Sequence, residues 1–123
     1  VGSEMCIRDR PWPVADRDTV YHVIWREDPE TGVVTMNATA AADEMERTPG
    51  VVRIEDAALR WILTPRREGG IVAVSEAFVD PNGPVPAWLL NRLQVDAPWD
   101  TLQGMRRMLA DGAYTDGVPA FMR

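Results

Sequence analysis

The chain has 123 residues, of which 46% are hydrophobic and 26% charged, with a formal net charge of −6 at pH 7. This length suits one small domain with a modest core. The acidic balance argues against a nucleic-acid partner, because proteins that bind the phosphate backbone carry a basic stripe. No apolar run reaches the roughly 18 residues of a membrane-spanning helix.

The first ten residues, VGSEMCIRDR, resemble a translated sequencing adapter. We therefore expect residues 1–10 to be an artefactual segment, residues 11–112 to form the domain, and residues 113–123 to be a tail. The segment holds Cys6, the only cysteine, so no disulfide or cysteine metal ligand is expected in the domain. All 13 basic residues are arginine, which indicates a GC-rich, bacterial genome. The cellular compartment is not predicted.

The first predicted elements form a β-hairpin. Residues Thr19–Glu27, TVYHVIWRE, are rich in the β-branched and aromatic residues that favour strands. DPETG, residues 28–32, has the composition of a turn. Val33–Ala40 then returns as the second strand.

Two further predicted strands extend the hairpin into an antiparallel meander. Val51–Pro65 is long for one strand, and the parity of its apolar residues changes along its length. A bulge or bend near Asp56 and Ala57 would keep both halves on one buried face. After a turn at residues 66–70, Ile71–Val79 is the fourth strand.

A long helix is predicted after the strands. Pro86 suits a first helical turn, where a missing backbone N–H costs no intrahelical bond. Apolar residues then recur with helical spacing over Ala87–Ala110, and Gly112 suits the helix end. Pro98 is expected to kink or interrupt this helix. Strands followed by a helix predict an α+β fold.

Three stretches together resemble a known family. They are DRDTVYHVIWR, TPGVVRIEDAALRWILTP and VDPNGPVPAWLLNRLQVDAPWDTLQGMRRML. In this order they are similar to the C-terminal half of a StAR-related lipid-transfer (START) domain of the helix-grip superfamily. The resemblance covers nearly all of residues 11–109, and PVPAWLLNRL with VVRIE upstream is its most specific part.

The resemblance implies a helix-grip fold, with a curved antiparallel sheet packed on a long C-terminal helix that acts as a lid. It implies a tunnel between sheet and helix that binds, and by extension transfers, one lipid or similar hydrophobic small molecule. No cofactor is expected. The N-terminal half of such a domain has no counterpart in the sequence, so the chain is expected to be a truncated fragment.

Two predicted strands supply candidates for lipid contact. The resemblance implies that Tyr21, Val23 and Trp25, which alternate along the first strand, face the tunnel; ordinary core packing is the alternative. Asn37, on the second strand, is a candidate hydrogen-bonding partner for a ligand. Its alternative is a solvated face.

The third strand supplies a candidate charge pair. Arg53 and Glu55 are two residues apart, so they share a face and could form a paired site near the cavity. A structural ion pair is the alternative. Trp61, on the same strand, is a candidate for cavity wall or core.

The helix supplies candidates for the lid. They are Trp88, Leu89, Leu93, Leu102 and Met105, for which packing on a sheet without any ligand predicts the same pattern. Trp88 and Trp99 are candidates for a transient contact with a membrane surface.

Catalytic residue types are scarce, so we predict no enzyme activity. His22 is the only histidine, Ser75 is the only serine beyond residue 10, and no nucleophile-elbow motif surrounds that serine. No metal site is predicted. One alternative is a helix-grip enzyme of the cyclase or hydratase type that uses Tyr21, Asp56 or Glu76 as acid or base. Another is a structural or regulatory module with a collapsed cavity.

Overall fold

The computed structural model describes residues 2–8 and 15–112. The predicted tail, residues 113–123, lies outside the described residues. Within the described part the chain forms six strands and one helix. They are β1 (Gly2–Arg8), β2 (Arg17–Glu27), β3 (Val34–Ala40), β4 (Val52–Arg53), β5 (Ala57–Pro65), β6 (Ile71–Val79) and α1 (Ala87–Ala110). The chain divides into two compact units at Pro84 and Val85, with all six strands in the first unit and the helix in the second.

The strands form one sheet in the order β1-β2-β3-β5-β6, in which every neighbouring pair is antiparallel. The predicted meander is therefore confirmed over β2, β3, β5 and β6. The sequence did not predict β1, because residues 1–10 were assigned outside the domain. In the structure Gly2–Arg8 pairs with Arg17–Val23 and covers backbone groups of β2 that would otherwise form an edge.

The predicted turn at residues 28–32 joins β2 to β3. The backbone N–H of Gly32 donates to the carbonyl of Asp28 at 2.7 Å, and Asp28 N–H donates to the carbonyl of Val33 at 2.9 Å. Asp28 Oδ1 also accepts from the N–H of Glu30 at 2.9 Å. Gly32 has φ +70°, which glycine adopts without a Cβ clash. This turn sets the register of the hairpin.

The third predicted strand is divided in the structure. Instead of one bulged strand over residues 51–65, β4 pairs with β2 in parallel, and β5 pairs with β3. Residues 54–56 lie between the two pairings. The parallel register places Arg53 opposite Asp18, so the early end of the predicted strand is held by a charge pair as well as by backbone bonds.

Helix α1 begins after Pro86, as predicted, and continues through Pro98 without ending. Of the two effects expected at Pro98, the interruption is therefore wrong, and the kink stays a prediction. Near the proline, the Thr101 hydroxyl donates to the carbonyl of Ala97 at 2.8 Å. Gly112, with φ +67°, follows the helix end and donates to the carbonyl of Leu109. Within the described residues, no helix is apolar enough over sufficient length to cross a bilayer.

Candidate ligand-binding face

The register of the sheet assigns each strand residue to one of two faces, because directly opposed residues of an antiparallel pair point to the same side. One row runs Val23, Ala38, Leu59, Ala77 across the four meander strands. The adjacent row runs Ile24, Asn37, Arg60, Glu76 and points to the opposite side. The two faces therefore differ sharply in polarity.

One face is almost entirely apolar, and we call it the apolar sheet face. Its members include Tyr21, Val23, Trp25, Met36, Ala38, Leu59, Trp61, Leu63, Ser75 and Ala77, and the charged Glu27, opposite Val34, lies on the same side at the end of β2. Three of the sequence candidates for the tunnel wall, Tyr21, Val23 and Trp25, lie on it, as does Trp61. Met36 was not a candidate. Its place between Trp25 and Trp61 follows only from the hairpin register.

Burial changes along the apolar sheet face. Val23 and Ala38 are buried, whereas Trp25 is 58% exposed at the other end of β2. The row across that end joins Trp25, Met36, Trp61 and Ser75. Two indole rings flanking a flexible thioether offer a large, deformable apolar area. Trp25 is exposed and Met36 and Trp61 are half-buried, so apolar side chains remain accessible here, and we take this part of the face as the candidate site.

The opposite face carries most of the polar side chains, and we call it the polar sheet face. An open depression of about 370 Å³ on it is lined by side chains that include Asn37, Thr39, Arg60, Glu76 and Phe78. Asn37 therefore lies on the other side of the sheet from Tyr21, Val23 and Trp25. The structure does not bring Asn37 into one site with those three residues.

Arg53 is held in a buried network. Its Nε donates to Asp18 Oδ1 at 2.7 Å and its Nη2 to Asp18 Oδ2 at 2.9 Å. Nη1 donates to the carbonyls of Ala42 and Met45, and Nη2 also donates to the carbonyl of Glu46. All five N–H groups of the guanidinium are thus used. Both side chains of the ion pair are 1% exposed, and the hydrogen bond to Asp18 raises the pKa of Arg53.

The anticipated pairing of Arg53 with Glu55 does not occur. Glu55 instead accepts from Arg47 Nη2 at 2.8 Å in an exposed ion pair, to which Asp43 contributes at 3.7 Å. Because every donor of Arg53 is bonded within the protein, this guanidinium has none left for a ligand. Its role in the structure is to hold residues 42–46 against the start of β2.

Two residues that sequence reasoning missed complete this network. Arg17 Nε donates to the carbonyl of Pro81 at 2.7 Å, and the Asn82 side-chain amide donates to the carbonyl of Arg53 at 2.8 Å. Arg17 and Asp18 are the second and third residues of DRDTVYHVIWR, the first stretch that resembles the family. The sequence shows only an arginine and an aspartate at the start of a strand. This pattern is too short to predict which residues these two side chains contact.

The helix candidates differ in exposure. Leu89 is buried, and Leu93, Leu102 and Met105 are half-buried. Trp88 and Trp99, the candidates for membrane contact, are 56% and 63% exposed. The first group and the two tryptophans thus occupy different environments on α1.

His22 has an acidic neighbour in the described part of the chain. His22 Nδ1, on β2, lies 3.5 Å from Glu44 Oε1. Among residues 15–112, no three His, Cys, Asp or Glu side chains are grouped closely enough to hold a metal ion.

Comparison with known proteins identifies similar proteins from bacteria. No protein-family model matches the chain. An uncharacterized protein of Pseudomonas aeruginosa is 35% identical over 98 residues, which cover 80% of this chain and 48% of that protein. The crystal structure of a fragment of the STAR-related lipid transfer protein from Xanthomonas axonopodis is 32% identical, with a TM-score of 0.73, and the match covers 88% of this chain and 60% of that one.

The chain thus spans about half the length of the curated relative and three fifths of the solved structure. Both sources are bacteria, which fits the genome type inferred from composition. A sheet of this topology with one long C-terminal helix, together with the likeness to the Xanthomonas structure, fits the expected α+β class. The chain has a START-like, helix-grip fold.

Proposed function

We propose that the protein binds one lipid or similar apolar small molecule against the apolar sheet face and performs no chemistry on it. The observation that carries this proposal is the row of Trp25, Met36 and Trp61 at one end of the face, in which Trp25 is exposed and the other two side chains are half-buried. The likeness to a STAR-related lipid transfer protein supports a lipid-binding domain in general.

The energetics favour such a ligand. Each CH2 group removed from water contributes about 0.8 kcal/mol, so an acyl chain gains on the order of 10 kcal/mol from a continuous apolar surface. A polar or charged ligand would gain little there, because the side chains around Trp25 and Trp61 offer few hydrogen-bonding groups. Transfer of the lipid between membranes is part of the proposal, since a binder that covers acyl chains lowers the cost of their passage through water.

The candidate acids and bases support binding rather than catalysis. Tyr21 lies on the apolar sheet face, whereas Glu76 lies on the polar sheet face. Asp56 lies at the break between β4 and β5, and its side chain is exposed. Acid–base catalysis requires groups that reach the same substrate atoms, and these three residues do not share a face.

The test is saturable binding of a fluorescent fatty acid to the full chain. We expect Trp25→Glu to weaken binding by roughly tenfold or more, because it places a charge where the acyl chain would lie. Arg26→Glu is the matched control, since Arg26 is the next residue, is also exposed, and points to the polar sheet face. Its affinity should equal that of the wild type. Absence of saturable binding, or equal loss in both variants, would contradict the proposal.

We also propose that α1 makes the transient membrane contact. Trp88, Val95 and Trp99 are exposed. Because an α-helix rotates by about 100° per residue, these three residues lie on one side of α1, within an arc of about 60°. Arg92 and Arg106 are exposed within the same arc. Tryptophan and arginine together favour the interface of an anionic bilayer. This contact is independent of the ligand at the apolar sheet face.

Sedimentation with vesicles of phosphatidylserine and phosphatidylcholine tests the contact. The double variant Trp88→Ser, Trp99→Ser should lose most of the bound fraction. Met108→Ser is the control, because Met108 is exposed and lies about 180° around the helix axis from Trp99, on the opposite side of α1. Equal sedimentation of the double variant and the wild type would exclude this surface.

A further inference from the structure

The segment that joins β6 to α1 contains an asparagine followed by a glycine, Asn82–Gly83, and both residues are exposed. The chain has two other asparagines, Asn37 and Asn91, which precede an alanine and an arginine. Asparagine is thermolabile, because the next backbone nitrogen can attack its side-chain amide. Glycine has no Cβ to hinder that attack, so Asn82 is the asparagine whose sequence most favours this reaction.

The reaction at this pair is deamidation. The backbone nitrogen of Gly83 bonds to Cγ of Asn82 as its proton is lost, the Cγ–Nδ2 bond breaks, and ammonia leaves. The product of this step is a cyclic succinimide. Water then adds to one of the two ring carbonyls and opens the ring to aspartate or isoaspartate. The whole sequence consumes one water molecule and releases one ammonia, so it needs no oxidant, metal or enzyme.

The local backbone leaves the attacking nitrogen available. The N–H of Asn82 donates to Asp80 Oδ1 at 2.9 Å, which holds the turn before the reacting pair. Within residues 15–112, no carbonyl or side chain accepts a hydrogen bond from the N–H of Gly83. Gly83 has φ +140°, which glycine adopts far more readily than any residue with a Cβ. The nucleophile is therefore exposed and has no competing bond within that range.

One hydrogen bond opposes the reaction. Asn82 Nδ2 donates to the carbonyl of Arg53 at 2.8 Å, which ties this segment to β4. Because the bond restrains the side-chain rotation that ring closure requires, it slows the reaction in the folded protein. The carboxylate of the product has no N–H to donate and sets one acceptor against another. Isoaspartate also lengthens the main chain by a methylene group. Deamidation therefore breaks the tie to β4.

We propose that Asn82 is a site of spontaneous deamidation, and that its hydrogen bond to Arg53 sets how fast the folded protein is modified. The bond and the reaction compete for one side-chain amide, so conditions that loosen this segment accelerate the modification. Each event adds one negative charge to the formal net charge of −6 and removes an anchor of the segment that precedes α1. The modified chain is less stable than the chain from which it forms.

Peptide mapping by mass spectrometry tests the site. The full chain is incubated in mildly alkaline buffer, with and without urea, and fragment ions locate each converted asparagine over time. In the folded chain we expect conversion at Asn82 to be roughly tenfold or more faster than at Asn37 and Asn91, which serve as internal controls. Urea should accelerate conversion at Asn82 further. Equal rates at the three asparagines, or no acceleration at Asn82 on unfolding, would overturn the proposal.

A variant that carries the product side chain tests the consequence. Asn82→Asp should raise the equilibrium constant for unfolding by roughly fivefold to tenfold, because one hydrogen bond to the Arg53 carbonyl is lost. Asn91→Asp is the matched control, with the same change at an exposed position of α1, and should stay within about twofold of the wild type. Equal effects of the two substitutions in urea denaturation would show that deamidation of Asn82 releases no anchor.

Discussion

Arg53 and Asp18, 35 residues apart in sequence, form a bidentate ion pair, and both side chains are 1% exposed. The pair joins β4 to the start of β2, and the same guanidinium binds three carbonyls of residues 42–46. One arginine therefore holds together three backbone segments, which are the start of β2, strand β4 and residues 42–46.

Arg53→Ala should destabilise the protein strongly. Removing one partner leaves the Asp18 carboxylate buried without its counter-charge and frees three carbonyls, so we expect a loss of about 3–5 kcal/mol in the free energy of unfolding. Urea denaturation measures it. Arg60→Ala, on the exposed polar sheet face, should change stability by less than about 0.5 kcal/mol. A loss at Arg53 no larger than that at Arg60 would show that the network contributes little.

Asn82 combines two stabilising features that substitutions can separate. It has φ +53°, in the left-handed region, and its side chain donates to the carbonyl of Arg53. Asn82→Gly keeps the backbone conformation and should cost about 1 kcal/mol for the lost hydrogen bond. Asn82→Ala should cost about 1 kcal/mol more, because a Cβ strains this conformation. Equal unfolding free energies for the two variants would mean that the backbone at this position relaxes without strain.

Sequence patterns were sufficient for the local elements of this fold. The alternation in β2 and β3, the turn at residues 28–32 and the proline before α1 each depend on neighbours within a few residues. The Arg53–Asp18 pair could not be predicted, because it depends on β4 pairing in parallel with β2 across 35 residues. The sequence instead predicted a pair between Arg53 and Glu55, because residues two apart in a strand point to the same face.

The candidate site shows the same limit. The parity of Tyr21, Val23 and Trp25 identified one face of β2, but parity alone did not say on which side Asn37 lies. That depends on the hairpin register, in which Tyr21 opposes Ala40 and so places odd residues of β2 beside even residues of β3. A shift of one residue in the turn would have reversed the assignment.

The Asp28 turn should give a pH-dependent contribution to stability. The N–H of Glu30 and the hydroxyl of Thr31 donate to the carboxylate and lower the pKa of Asp28 below the model-compound value of 3.8. A group with a lowered folded-state pKa stabilises the fold above its unfolded pKa, and the contribution is lost as pH falls through the folded pKa. The effect is small, because the side chain is exposed.

We therefore expect the difference in unfolding free energy between the wild type and Asp28→Ala to be constant from pH 7 to about pH 5 and to shrink below about pH 4. Asp28→Asn keeps an oxygen acceptor for the Glu30 N–H but cannot ionise there. Its stability relative to Asp28→Ala should not vary over this range. Chemical denaturation at a series of pH values gives both differences, and a wild-type advantage that grows toward acid would contradict the pKa direction.

Pro98 offers a direct way to stabilise α1. A proline in a helix interior removes one backbone hydrogen bond and crowds the carbonyl four residues earlier, at a cost of up to about 3 kcal/mol relative to alanine. The helix nevertheless continues through Pro98, so its other residues offset this cost. Pro98→Ala should increase helical circular dichroism and raise the free energy of unfolding by about 1–3 kcal/mol. Asp100→Ala, an exposed change in the same turn, should alter it by less than about 0.7 kcal/mol, since only helix propensity changes. A loss of stability in Pro98→Ala would instead show that the proline shapes the helix in a way that the fold requires.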